Sequence, residues 1–216
     1  HPNKKGLSSR EGQARLMHDL ASIELQAMEL GLRTLIEFPN IDPQFQEQLL
    51  NVVQQEAYHL VGCLEVIKKL GFRWGDWPVH LALWQATDVQ DSLLDRILIV
   101  HRYLEGSGLD AGATLLRRLM GVADSEVIPV VKMIFTEELD HVAFGNKWYR
   151  YFCKQQGLDS EQDFMQRFEK IKTKLPKRIE IIDKELRLKS GFTQLEIQFL
   201  ENHRNQISKY QRKKSN

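Results

Sequence analysis

Glu56 and His59, and again Glu138 and His141, stand three residues apart inside segments whose apolar residues recur every three to five positions. Residues three apart share a helix face, so each glutamate points the same way as its histidine. The flanks say which way that is. Val52, Val53, Leu60 and Cys63 surround the first pair, and Ile134, Phe135, Val142 and Gly145 surround the second. Both pairs therefore face a core. Burying an ionised carboxylate without a partner is costly enough to drive it to take up a proton, so such a chain must place cations beside these groups.

The rest of the chain reads as helix. Leu16, Leu20, Ile23, Ala27, Leu30 and Leu35 trace one stripe over residues 13–36, which Pro39 ends. A second helix is expected over 43–70, with Gly71 as its C-terminal cap. A Gly-, Trp- and Pro-rich connection over 71–80 and an apolar turn near 81–84 lead to a third helix over 89–105. After Gly106 and Gly108 a short helix is expected over 111–120 and a fourth long one over 125–154, followed by two or three helices over 158–211, broken near Pro176 and Gly191. No run shows the apolar/polar alternation of a half-buried strand. With 216 residues, 42% of them hydrophobic, the chain can bury one substantial core. The division expected is a main domain over 1–156 and a helical extension over 157–216 packed on it.

Two further carboxylates stand in register with the pairs. Glu24 has Leu20, Ala21, Ala27 and Met28 one turn away, and Glu105 closes the third helix, although His101 and Arg102 precede it by a turn. Glu24 lies 32 residues before Glu56, and Glu105 lies 33 before Glu138. A single Glu from each of two helices plus Glu-x-x-His from each of the other two is the ligand set of ferritin-like di-metal bundles. A lone Glu-x-x-His is common by chance in helices; two, with both single carboxylates in register, make a metal site the better reading. Oxygen-rich ligation with one imidazole per metal suits iron or manganese better than zinc. The expected cofactor is two Fe ions, with Mn or mixed Mn/Fe as alternatives. The fold expected is all-α, a ferritin-like four-helix bundle with a crossover connection.

The chain also resembles the ferritin-like proteins grouped as domain of unknown function 455, distant relatives of the tRNA hydroxylase that modifies a hypermodified adenosine. The resemblance rests on Leu16-Met17-His18 leading to Ile23-Glu24-Leu25-Gln26-Ala27, on Glu56-Ala57-Tyr58-His59, and on Gly75-Asp76-Trp77-Pro78-Val79-His80 with Leu83-Trp84. It continues through Leu104-Glu105-Gly106-Ser107-Gly108-Leu109-Asp110, Glu137-Glu138-Leu139-Asp140-His141-Val142 and, more weakly, residues 187–192. It implies metal ligation by Glu24, Glu56, His59, Glu105, Glu138 and His141. The chain departs from the family's pattern at Ser22, Gln55, Glu137 and His101, where a histidine, two aspartates and a proline are usual. In related bundles the acid before a ligating glutamate can accept a hydrogen bond from a metal-bound histidine. Glu137 retains that capacity; Gln55 offers only an amide oxygen, so two metals of unequal affinity are implied. His18 and His80 read as packing and loop-fixing residues rather than ligands, and Trp74, Trp77 and Trp84 as packing of the long connection.

Three function classes remain. The leading one is an oxygen-activating oxidoreductase, or hydroxylase, with dioxygen as co-substrate and a small molecule or an RNA as substrate. The second is a ferroxidase or iron-handling protein, which should assemble into a large shell, whereas the chain is expected as a monomer or small homo-oligomer. The third is a non-catalytic helical interaction module. RNA enters through the resemblance and through charge: residues 160–216 carry 14 Lys/Arg against 8 Asp/Glu, within a chain of net charge +1. No stretch of about 18 apolar residues occurs and the first residues lack a signal-peptide core, so a cytoplasmic protein without membrane contact is expected. Cys63 and Cys153, far apart and without a metal-knuckle spacing, are expected to be reduced packing residues.

Overall fold

The computed structural model describes residues 6–122 and 125–214, with side chains through residue 207. Among these residues all secondary structure is helical. Helix α1, Arg10–Glu37, starts where the Ser9 side chain accepts a hydrogen bond from the Gly12 N–H at 3.1 Å. Helix α2, Pro43–Lys69, starts at Asp42, whose carboxylate accepts from the Gln44 and Phe45 amides, with Pro43 in the first turn, where no N–H is needed. It stops at Gly71, which takes φ +87° while the Phe72 N–H reaches back to the Ile67 carbonyl at 3.1 Å. The short α3 covers Ala82–Gln85.

The region expected as two helices parted at Gly106 and Gly108 is one unbroken helical rod. It comprises α4, Leu93–Ile97, a π-helical segment, Leu98–Leu104, and α5, Glu105–Leu119. Its start lies at Ser92 and Asp95, which cap each other reciprocally, rather than at residue 89. Gly106 is there for space, not to break the helix. A Cβ at this position would lie 2.1 Å from Nη1 of the buried Arg187. The remaining helices are α6, Val127–Gln155, α7, Ser160–Ile171, α8, Lys184–Lys189, and α9, Gln194–Lys214. Of the two or three helices expected over 158–211, three are present, with breaks that include Pro176 and Gly191.

The chain forms two compact units, each made of separated stretches. The first comprises residues 1–84 and 114–137, the second 85–113 and 138–216. In the first unit α1 and α2 pack along each other. Gly31 allows a close approach, since a Cβ there would meet Val53 Cγ2 at 2.4 Å. Ala14, Met17 and Leu20 of α1, Cys63, Val66 and Ile67 of α2, and Leu119, Val127, Val131 and Ile134 form its core.

The second unit is built around buried charge. Arg102 lies beneath three aromatic rings, Tyr149, Phe164 and Phe192, with its guanidinium 4.3–4.9 Å from their centroids, and it donates to Asn146 Oδ1 and Glu196 Oε1. Arg187 and Arg204 both pair with Asp110. Each of these cations therefore has an anion and a ring or carbonyl around it, which is the condition under which buried charge is tolerated.

Candidate metal centre

Three of the six candidate ligands belong to the first unit. Glu24 comes from the middle of α1, and Glu56 and His59 come from one turn of α2. All three are buried, and one ligand atom from each lies within 4.8 Å of the others. His59 organises them. Its Nδ1 is 3.4 Å from Glu24 Oε2 and 3.5 Å from Glu56 Oε2, while its Nε2 is 2.8 Å from Glu137 Oε2. An ionised carboxylate only accepts, so Nε2–H donates to Glu137 and Nδ1 faces the two glutamates. Burial alone would push the imidazole towards neutrality. Hydrogen bonds and charges from Glu24 and Glu56 outweigh it and raise the pKa to about 10, so a cation is held at this point at neutral pH.

The chemistry of this donor set fits a metal. Two carboxylates and one imidazole nitrogen converge with the second nitrogen already anchored, the arrangement by which proteins fix the tautomer and orientation of a metal-bound histidine. Glu137, the acid next to Glu138, accepts this hydrogen bond from His59.

The other three candidates lie in the second unit. His141 Nδ1 is 3.5 Å from Glu138 Oε1 on α6, again three residues apart on one face, and both are buried. Glu105 is buried at the end of the π-helical segment. Its Oε1 lies 2.8 Å from His101 Nδ1, whereas its Oε2 has no hydrogen-bond partner among the described residues. A buried carboxylate oxygen left bare in this way is fitted to take a cation. The His101 contact was not anticipated; in the sequence His101 counted against Glu105.

The remaining candidates have structural roles. His18 is buried, stacked on Trp74 with ring centroids 4.6 Å apart, and its Nε2 accepts from the Gly75 N–H at 3.1 Å. His80 is exposed, and its Nδ1 accepts from the Ala82 N–H. Trp84 donates to Glu29 Oε2. Cys63 and Cys153 are free thiols buried in packing. Burial and then the Glu24 charge push the Cys63 thiol up, and burial and then Asp163 push Cys153 up to about 12.

Residues 1–198 match the family described as protein of unknown function DUF455. The chain belongs to that family. A relative, an uncharacterized protein of Haemophilus influenzae, is 31% identical over 205 residues, covering 91% of this chain and 70% of its own length. No solved structure matches the chain. Among the described residues no helix is long and apolar enough to cross a membrane. In the basic C-terminal part, Lys172 pairs with Glu169 and Lys174 with Asp91. The side chains of Lys209, Arg212, Lys213 and Lys214 lie outside the described residues.

Proposed function

We propose that this DUF455 chain is a ferritin-like four-helix-bundle protein, with the bundle over residues 1–156 and a helical extension over 157–216. It holds two iron ions through Glu24, Glu56, His59, Glu105, Glu138 and His141 and uses dioxygen to oxidise a small-molecule substrate. The observation that carries this reading is His59, with Nδ1 turned to two buried carboxylates and Nε2 fixed by a third.

When bound, two ferrous ions supply the electrons that reduce dioxygen, chemistry that the protein's own side chains do not perform. The four ligating glutamates offset the charge of the two dications. Glu137 holds the His59 ring in one orientation and raises the basicity of Nδ1. Burial keeps bulk water from Glu24, Glu56 and His59, which strengthens each electrostatic contact there.

An open groove of about 590 Å³ supports a small substrate. It is lined by Tyr58, Val61 and Gly62 of α2 and by Val130, Met133 and Glu137 of α6, the last being the residue bonded to His59. The ion pairs of Lys172 and Lys174 leave less free positive charge for an RNA.

Anaerobic addition of Fe(II) should give about two bound irons per chain, and admitting air should produce a ferric chromophore. His59→Ala should halve or abolish uptake. One iron per chain, or tight zinc with no reaction towards oxygen, would overturn the reading. Assembly into a large shell would move it to iron storage.

A further inference from the structure

The rod from Leu93 to Leu119 changes register once. Within it, at Leu98–Leu104, the hydrogen-bond ladder widens to the π pattern, and the Glu105 N–H bonds to the Val100 carbonyl five residues back. Local π turns inside α-helices are rare and frequently occur at functional sites. Two buried side chains flank this one, His101 inside it and Glu105 directly after it, and they meet at 2.8 Å through Nδ1 and Oε1.

Packing alone is a poor reason for a histidine here. His101 is 2% exposed, and its Nε2 has no hydrogen-bond partner among the described residues, a desolvation cost that a leucine in the same niche would not carry. The niche is apolar and tight. Phe144 meets the imidazole edge to face at 5.0 Å, and Gly145 is bare where a Cβ would lie 2.5 Å from His101 Cβ and 3.2 Å from its carbonyl carbon. The ring is thus clamped against α6, one turn beyond His141. Among the described residues its polar contact is to Glu105.

We propose that His101 is a positioning residue for Glu105. Its Nδ1–H holds Oε1, so that the carboxylate is fixed in one rotamer and presents Oε2 to a metal ion. This rests on the metal reading above. A carboxylate accepts only, so the donor at this contact is Nδ1–H. The widened ladder and the bare Gly145 are the two backbone features that let a histidine occupy this place.

The test compares wild type with His101→Leu, which fills the niche without a donor, and His101→Asn, whose side-chain amide can donate from near the place of Nδ1. All three are titrated anaerobically with Fe(II), followed by metal analysis and absorption. Wild type should bind two ions. His101→Leu should keep one and hold the other roughly 10- to 100-fold more weakly, and His101→Asn should recover most of that loss. Equal binding of two ions by all three proteins, or an asparagine variant as weak as the leucine one, overturns the role of His101 alone. A wild type that binds no metal overturns the metal reading itself. If His101→Leu does not fold, the ¹⁵N resonances of His101 in metal-free wild type decide: Nδ1 protonated supports the proposal, and Nε2 protonated with bare Nδ1 refutes it.

Discussion

At His59 a proton sits at the nitrogen through which the proposed metal ion would bind. Nε2 is committed to Glu137, so the proton that raises the pKa to about 10 faces Glu24 and Glu56, where a metal would bind. The folded value lies above the ordinary 6.5. In the metal-free protein the stabilisation is therefore complete below pH 6.5 and is lost as the pH rises through about 10. Metal uptake at neutral pH must expel this proton, so affinity should climb by up to tenfold per pH unit below pH 10. Calorimetry of Fe(II) binding at pH 7 in two buffers of different ionisation enthalpy should show about one proton released on account of His59. Identical heats in both buffers would remove His59 from the ligands. This part of the site was legible in the sequence because a regular helix places residues three apart on one face. Glu137 could be found only through its adjacency to Glu138. His101 lies four residues before Glu105 and so shares its face, but that neighbour reads in the sequence as a polar intrusion on the apolar surround rather than as a hydrogen-bond partner.

At the scale of elements, the long apolar stripes and the Gly71 cap were readable, and the boundaries of α1 and α2 lie close to expectation, whereas the N-caps Ser9 and Asp42 emerged only with the structure. Gly106 and Gly108 misled, because a glycine in a sequence signals a break as readily as a tight contact. The two glycines differ in their surroundings. A Cβ at Gly108 would meet nothing within 4 Å, whereas one at Gly106 would strike the guanidinium of Arg187. Arg187 cannot easily yield, being fully buried and tied to Asp110 and to the Arg102 carbonyl. Gly108→Ala should therefore stabilise the protein by about 0.5–1 kcal/mol through helix propensity. Gly106→Ala should destabilise it by about 1–3 kcal/mol despite the same gain. Thermal melts of the two variants against wild type check the pair, and shifts of the same sign would show that Arg187 moves aside.

For the whole molecule, the all-α class followed from patterning, but the two compact units did not, because each joins stretches far apart in the chain. The contacts that close the second unit are long-range ion pairs: Arg102 to Glu196 across 94 residues and Arg187 to Asp110 across 77. No local pattern announces which buried arginine meets which acid. Glu196 carries a large share of this closure, since it also caps α9 by accepting from the Thr193 N–H at 3.0 Å. Glu196→Ala would leave Arg102 buried among Tyr149, Phe164 and Phe192 without its anion, a loss of about 3–5 kcal/mol for a buried pair with one partner removed. The loss should be local before it is global. Hydrogen exchange should quicken first along residues 98–113 and in α8 and α9, while α1 and α2, whose core of Met17, Cys63 and Ile67 contains no part of this network, keep their protection. Uniform loss of protection across both units would show instead that they unfold as one, and that the buried arginines stabilise the whole chain rather than the half that carries Glu105, Glu138 and His141.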